Sequence, residues 1–310
     1  MKKNKSVSER VIRATRYKII VILGTTSSGK TKLAVRLAKK FNGEIISADS
    51  RQVYRGMDVG SGKDLAEYGK IKYHLIDIVS PKKDFSVAAW QKLAYQKIED
   101  IVKQGKLPIV CGGTGLYISA LVEGYLMPEE IVDKAVRNKL NKKSLKQLLD
   151  QLKRIDLDTY NIIDRNNRRR VQRALEIYYQ SGRPKSKMVG KIKPDLDFLK
   201  IGLTFPRNVL NRRIAKRLKI RLTKEGMVKE VEMLRQSGVS WKKLEAFGLE
   251  YRFVARYLQG KLTYQEMEDD LAKAIKDFAK RQMTWFKRDK EINWIKNYSQ
   301  AVVLVKKFIK

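Results

Sequence analysis

The sequence is poor in the residues that build disulfides and zinc sites. Among its 310 residues there is one cysteine, Cys111, and one histidine, His74. These counts exclude a disulfide within the chain and a Cys/His zinc site, and they leave no Ser-His-Asp or Cys-His triad unless His74 serves alone. They fit a cytosolic protein. Cys111 follows apolar residues 107–110, so we expect it to end a buried strand.

Long apolar runs and acidic residues are also scarce. No run approaches the 18 apolar residues of a membrane-spanning helix. Residues 1–17 are basic and polar without the apolar segment of a secretory signal, and we expect a disordered tail. The chain carries 33 acidic against 68 basic residues, a net charge of +35. This excess predicts a polyanionic partner, nucleic acid first and an anionic membrane surface second, although a lysine-rich proteome is an alternative source.

The most informative motif lies at residues 24–31, which read Gly-Thr-Thr-Ser-Ser-Gly-Lys-Thr. They match G-x-x-x-x-G-K-[ST] between an apolar, strand-like run and a segment of helical period. In such a loop, backbone N–H groups converge on a diphosphate at a helix N-terminus, and the lysine adds a positive charge. The predicted diphosphate-binding residues are Gly24, Thr25, Thr26, Ser27, Ser28, Gly29, Lys30 and Thr31. The Thr31 hydroxyl can also bind Mg²⁺. The motif indicates that a polyphosphate binds, without saying which.

Strand-like and helix-like segments alternate through the first 125 residues, with strands predicted at 18–23, 44–47, 73–78 and 107–110. This alternation predicts an α/β fold with a doubly wound parallel sheet, whose ligands bind at the carboxyl ends of the strands. Residues 128–194 are charged and helical. We therefore expect a P-loop NTPase-like core of 18–127 and 195–310, interrupted by a helical insertion over 128–194.

Three further sites have competing interpretations, and the first two follow predicted strands. Asp49 can be a general base, a metal partner as in a Walker B motif, or a helix N-cap. Thr114 can orient Asp49 or contact a substrate, although a helix N-cap is the favoured interpretation. The run Gly60-Ser-Gly-Lys63 resembles a second phosphate loop but lacks its spacing, and we expect a turn.

Two basic runs occur at helical spacing. One lies at residues 166–173 within the predicted insertion, and the other includes Arg212, Arg213, Lys216, Arg217 and Arg221. A run of charge usually marks a solvated helix face. Because the runs recur on separate helices of a chain with net charge +35, contact with a nucleic-acid backbone is the better interpretation.

These motifs, in this order, resemble the tRNA dimethylallyltransferase family, also called tRNA isopentenyltransferase, in its bacterial type. The resemblance covers roughly residues 18–295. Its stretches are 24–31, Ile46-Ser-Ala-Asp-Ser50, Val53-Tyr-Arg-Gly-Met-Asp-Val-Gly60, His74-Leu-Ile-Asp-Ile78, Gly112-Gly-Thr-Gly-Leu-Tyr117, Arg173-Ala-Leu-Glu176 and Ala279-Lys-Arg-Gln-Met-Thr-Trp-Phe286.

The resemblance implies transfer of a dimethylallyl group from dimethylallyl diphosphate to N6 of the adenosine just 3′ of the anticodon, position 37, of tRNA. It assigns Asp49 as general base, Thr114 as the residue beside it, and Arg217 as a group that neutralises the leaving diphosphate, with Mg²⁺ as cofactor. It points to the tRNA anticodon stem-loop as partner. Apart from the resemblance, we expect a cytoplasmic monomer without a membrane partner. The implied tRNA-binding residues are Asp49, Ser50, Arg51, Gln52, Thr114, Arg137, Arg169, Arg170, Val171, Gln172, Arg173, and a loop of Glu245, Ala246, Phe247, Gly248, Leu249 and Glu250.

Other function classes remain as alternatives. A P-loop kinase for a small molecule or nucleotide shares the loop, Mg²⁺ and Asp49, but it does not need the basic insertion. A prenyltransferase that acts on free adenine nucleotides shares the donor. A nucleic-acid-binding module with a relict phosphate loop explains the charge, but the intact Lys30 and Asp49 argue against it.

Overall fold

The structure is a computed structural model that describes residues 17–127, 133–188, 190–192 and 194–310. Residues 1–16 of the predicted tail therefore lie outside the described residues. Tyr17, which we expected to close that tail, instead begins the first strand.

Six parallel strands form one sheet, and this confirms the predicted doubly wound α/β fold. The strand order is β3-β2-β4-β1-β5-β6. The strands are β1 (Tyr17–Gly24), β2 (Gly43–Ser47), β3 (Tyr73–His74), β4 (Leu107–Gly112), β5 (Leu196–Leu203) and β6 (Asn293–Ile295). The strand predicted at 73–78 is shorter than expected because Leu75 and Asp77 have φ angles of 62° and 57°, which extended strands do not allow.

Helices connect and cover these strands. The α-helices of the core are α1 (Lys30–Lys40), α2 (Val87–Lys103), α3 (Gly115–Glu123), α9 (Arg207–Thr223), α10 (Met227–Gln236), α11 (Trp241–Phe247), α12 (Leu249–Leu258), α13 (Tyr264–Phe286) and α14 (Tyr298–Ile309). Side-chain caps mark two helix starts: the Ser86 hydroxyl accepts a hydrogen bond from the Ala89 N–H, and Thr263 forms a capping box with Glu266. These caps fix where α2 and α13 begin.

The core lies on both faces of the sheet. Side chains of β1 alternate, so Ile20 and Ile22 pack in one apolar cluster while Ile19 and Val21 pack in the other. Helices α1 and α14 contribute to the first cluster, and α2, α3 and α9–α13 contribute to the second. Burial on both faces explains why β1 reads as a continuous apolar run in the sequence.

The chain divides into two compact units. The described residues of Met1–Val122 together with Asp195–Lys310 form the sheet-bearing unit, and Glu123–Pro194 form the other. The second unit contains α4 (Lys134–Asn141), α5 (Leu145–Ile155), α6 (Leu157–Ile162), α7 (Arg168–Ser181) and α8 (Lys185–Met188). Its own small core includes Leu140, Leu148, Leu152, Val171 and Leu175. Across the described part of the chain, every helix is too short or too polar to cross a membrane.

Candidate active site at the carboxyl ends of the strands

The predicted phosphate loop joins β1 to α1. Gly29 is the N-cap of α1 with φ 82°, a left-handed conformation that favours glycine. Among the residues that the structure describes, no side chain caps this helix start. The N–H groups of the first turn are therefore available to an anion, where the helix dipole favours negative charge. The Lys30 ammonium lies over the loop and donates a hydrogen bond to the Thr25 carbonyl at 3.2 Å.

Two hydroxyls of this loop are buried without a hydrogen-bond partner among the described residues. They are Thr25 Oγ1 and Ser28 Oγ, on residues 1% and 3% exposed. Buried polar atoms nearly always have a hydrogen-bond partner. Two such atoms without a partner in one loop therefore point to a polar ligand. Burial lowers the pKa of Lys30, and the Asp49 carboxylate opposes this shift. Lys30 and Asp49 therefore belong to one electrostatic site.

Asp49 lies two residues beyond the end of β2. Its Oδ1 accepts a hydrogen bond from the Arg51 N–H at 2.9 Å, and residues 50–53 form a turn rather than a helix. The helix N-cap interpretation of Asp49 is therefore wrong. The carboxylate sits in an Asx turn at the same sheet edge as the phosphate loop, because β4 pairs with both β1 and β2 in parallel register.

Thr114 holds the backbone on both sides of Asp49. Its Oγ1 accepts a hydrogen bond from the Ser50 N–H at 3.0 Å, and its N–H donates to the Ala48 carbonyl at 3.2 Å. Thr114 does precede α3, but its hydroxyl caps no N–H of that helix among the hydrogen bonds described. It positions the Asp49 segment through the backbone.

Arg217 joins the site from α9. Its Nη2 donates to Asp64 Oδ2 at 2.7 Å, and Arg221 contacts the other oxygen of Asp64 at 3.4 Å. Burial and the neighbouring Arg221 lower the pKa of Arg217, and Arg217 in turn lowers the pKa of Lys30. The predicted basic run on α9 is thus divided, because Arg221 is buried whereas Arg212, Arg213 and Lys216 are exposed.

The run 60–63 is a turn, as predicted, and Lys63 is not available to a phosphate. Its Nζ is buried and donates to the Tyr54 carbonyl at 2.9 Å and to the carboxylates of Asp58 and Asp77. A Cβ at Gly62 would lie 2.2 Å from Arg217 Nη2, so the absence of a side chain there lets the arginine pack against the turn.

The segment 245–250 is not the loop that we expected. Glu245 and Phe247 belong to the end of α11, Gly248 makes a corner with φ 77°, and α12 begins at Leu249. The Arg51 Nε donates to the Phe247 carbonyl at 2.8 Å, which ties this corner to the Asp49 turn. Burial raises the pKa of Glu250, against the opposing charges of Arg221 and Arg217.

Comparisons with known proteins identify the family. A family model described as IPP transferase matches residues 52–289, and one described as isopentenyl transferase matches 17–73. The tRNA dimethylallyltransferase 1 of Syntrophus aciditrophicus is 47% identical over 89% of this chain and 93% of its own length. That of Geotalea daltonii is 44% identical over 88% and 87%. The chain belongs to the tRNA dimethylallyltransferase family. A solved tRNA isopentenylpyrophosphate transferase from Bacillus halodurans has a TM-score of 0.69 at 36% identity, covering 95% of this chain and 96% of that one.

The remaining predicted tRNA contacts of this family member fall in different environments. Arg169 and Arg170 are exposed at the start of α7. Arg137 pairs through Nε and Nη2 with both oxygens of the buried Glu176, and Arg173 contacts that carboxylate at 3.4 Å. Glu176 therefore fixes two of the predicted arginines at the surface of the second unit.

Two predicted contacts are buried in the fold, so their side chains are not free to reach RNA. Val171 is 0% exposed in the core of the second unit. The Gln52 amide accepts from Ser47 Oγ at 2.7 Å and donates to the Gly62 carbonyl at 3.0 Å. Contact of Val171 and Gln52 with tRNA stays a prediction that these buried side chains do not support.

The residues fit the Mg²⁺ ion that the family resemblance implies. The half-buried Thr31 hydroxyl and the unpaired hydroxyls of Thr25 and Ser28 are oxygen donors, the kind that Mg²⁺ prefers. Within the described ranges, no group of three histidine, cysteine, aspartate or glutamate residues that could hold a metal occurs. An ion at this loop would therefore take most of its ligands from diphosphate and water.

One buried residue of the site had no predicted role. Gln282 on α13 contacts both the phosphate loop and the turn after β4. Its only signal in the sequence is its place inside the run 279–286, because a glutamine within a helix is by itself unremarkable.

Proposed function

We propose that this protein transfers the dimethylallyl group of dimethylallyl diphosphate to N6 of the adenosine 3′-adjacent to the anticodon, position 37, of tRNA, giving N6-isopentenyladenosine. The observation that carries the proposal is the union of a phosphate loop with Asp49 at one sheet edge, in a chain 44–47% identical to tRNA dimethylallyltransferases. A kinase reading accounts for the loop but not for that identity.

The transfer asks two things of the protein. Adenosine N6 is a weak nucleophile because its lone pair is conjugated with the ring, so Asp49 accepts an N6 proton as N6 attacks C1 of the donor. The bond from C1 to the diphosphate oxygen breaks, and diphosphate leaves with the electron pair. Its growing negative charge is neutralised by the N–H groups of the loop, by Lys30 and by Arg217.

Residues around the base act by position. Thr114 and Arg51 hold the backbone of the Asp49 turn, which keeps the carboxylate at the strand end. Mg²⁺, when bound beside Thr31, supplies further positive charge to the diphosphate. The Asp64 carboxylate and the diphosphate compete for the guanidinium of Arg217. When the donor binds, Arg217 therefore leaves Asp64 and contacts the diphosphate.

The acceptor must be presented as an unstacked base, because an adenine inside a stacked loop hides N6 from the protein. The net charge of +35 supports a polyanionic partner, and the exposed Arg169 and Arg170 are suited to phosphate contacts. We therefore place the anticodon stem-loop as the acceptor.

The test is incubation of the purified protein with bulk tRNA, Mg²⁺ and labelled dimethylallyl diphosphate, followed by nucleoside analysis. Label in N6-isopentenyladenosine is expected. Asp49→Asn should lower turnover by about 10²–10⁴ while tRNA binding is kept. The matched control, Asp100→Asn, removes an exposed carboxylate on α2 that pairs with Lys97, and it should leave turnover unchanged. Label in free adenine nucleotides alone, or ATP-dependent phosphorylation without label in tRNA, would overturn the proposal.

A further inference from the structure

The side-chain amide of Gln282 links two loops of the candidate site. Its Oε1 accepts a hydrogen bond from the Thr26 N–H at 2.8 Å, and its Nε2 donates to the Gly113 carbonyl at 2.8 Å. Thr26 belongs to the phosphate loop after β1, and Gly113 belongs to the turn after β4. Gln282 is 6% exposed, so neither bond is exchanged freely with water.

The hydrogen bond to the Gly113 carbonyl connects Gln282 to the Asp49 turn. Gly113 precedes Thr114, whose hydroxyl and N–H hold Ser50 and Ala48 on either side of Asp49. One side chain thus joins the element that binds diphosphate to the element that holds the base. A Cβ at Gly113 would lie 2.5 Å from Gln282 Nε2, so the close approach depends on the glycine.

The chemistry of the amide suits this position. Thr26 offers a donor and Gly113 an acceptor, and a primary amide is the uncharged group that carries one of each. A carboxylate accepts from Thr26 but sets a second oxygen against the Gly113 carbonyl. A thioether of similar length makes neither bond.

We propose that Gln282 is a positioning residue for the transfer, fixing the phosphate loop relative to the Asp49 turn without touching the donor or the acceptor. The inference rests on the proposed function. Prenyl transfer needs the leaving diphosphate and the base at a set separation, and misplacement by about 1 Å can cost about 10²-fold in rate.

Helix α13 does not depend on Gln282 for its packing. It is anchored by the buried side chains of Met267, Leu271, Ile275 and Phe286. A substitution at 282 therefore leaves the apolar contacts of the helix in place, and the variants are expected to fold.

The test compares Gln282→Met and Gln282→Glu with wild type, and uses Gln265→Met as the matched control. Gln265 lies on the same helix, exposed, and contacts Asp269. Besides the urea midpoint of unfolding, four quantities are measured on each protein: kcat, KM for dimethylallyl diphosphate, calorimetric affinity for inorganic pyrophosphate, and affinity for tRNA.

Gln282→Met should lower kcat by about 10²-fold and weaken pyrophosphate binding, with tRNA affinity and the urea midpoint close to wild type. Gln282→Glu keeps the bond to the Thr26 N–H, so pyrophosphate binding should be retained more fully while kcat still falls. Gln265→Met should match wild type in all four measurements.

Two results would overturn the inference while the wild type is active: an unchanged kcat in Gln282→Met, or a fall in activity that equals the loss of folded protein. If the wild type itself makes no N6-isopentenyladenosine, the proposed function fails first and the inference fails with it.

Discussion

Substitution of Gly112 by alanine is expected to displace Asp49, the proposed base, without disturbing the phosphate loop directly. Gly112 ends β4, next to the segment that follows β2. A Cβ built there lies 2.2 Å from the Ala48 carbonyl oxygen and 2.5 Å from its carbonyl carbon. Both atoms are backbone, so no side-chain rotation relieves the contact.

The displacement can be worked out from these distances. The contact must lengthen by about 1 Å to reach an ordinary van der Waals separation. Ala48 adjoins Asp49, and its carbonyl also accepts a hydrogen bond from the Thr114 N–H, so the shift passes to Asp49. We expect the free energy of unfolding to fall by about 1–3 kcal/mol and kcat to fall by about 10²-fold.

Steady-state prenylation of tRNA, with unfolding in urea measured in parallel, checks both numbers. The control is Gly105→Ala, just before β4, where φ is 67° and nothing lies within 4 Å of an added Cβ. The left-handed backbone there should cost about 1–2 kcal/mol of stability without changing kcat. Equal kcat values for the two variants would refute the argument that Gly112 sets the position of Asp49.

Three further predictions concern charge. Affinity for tRNA should fall steeply with salt, by about one unit of log–log slope per contacted phosphate; a flat response would leave the net charge of +35 unexplained. Glu230→Gln should lower the free energy of unfolding by about 3 kcal/mol, because this buried carboxylate accepts the N–H groups of residues 58–60 and the Tyr251 hydroxyl; urea unfolding that shows no loss would contradict it. Hydrogen bonds from Gln259, Arg256 and Lys261 lower the pKa of Glu245 to about 2 from 4.5. Because the folded value is depressed, its stabilisation is full above pH 4.5 and is lost towards pH 2, so the stability difference between wild type and Glu245→Gln should shrink over that interval; a constant difference would disprove it.

Much of the sheet could be predicted because its central strands are buried on both faces and read as continuous apolar runs. The edge strands of the sheet were harder to predict from the sequence. β6, Asn293–Ile295, has three residues and no period, and its place comes from parallel pairing with β5. The segment 245–250 contains the end of one helix, a glycine corner and the start of the next helix. Its composition alone does not distinguish this arrangement from a loop.

The parts of the candidate site that could be predicted are those whose residues are adjacent in the sequence. The phosphate loop is contiguous, and Asp49 follows its strand directly. The partners of Thr114 and Gln282 are backbone groups far along the chain, and a hydrogen bond to a distant carbonyl leaves no pattern in the sequence. The sequence also did not show which arginines of α9 are buried. Arg221 is buried by the turn at 60–64, which is distant in the chain, rather than by its own helix.

The order of the central strands also sets a length. β1 and β2 are not neighbours, because β4 lies between them and pairs with both. Two strand spacings separate the backbone that bears the phosphate loop from the backbone that bears Asp49, about 10 Å. Main-chain hydrogen bonds between these strands set this separation, so a substitution changes it only where it moves the backbone at a strand end. The end of β4 lies between the phosphate loop and Asp49. A variant that accepts a longer or shorter donor therefore has to be sought at Gly112, Gly113 and Thr114.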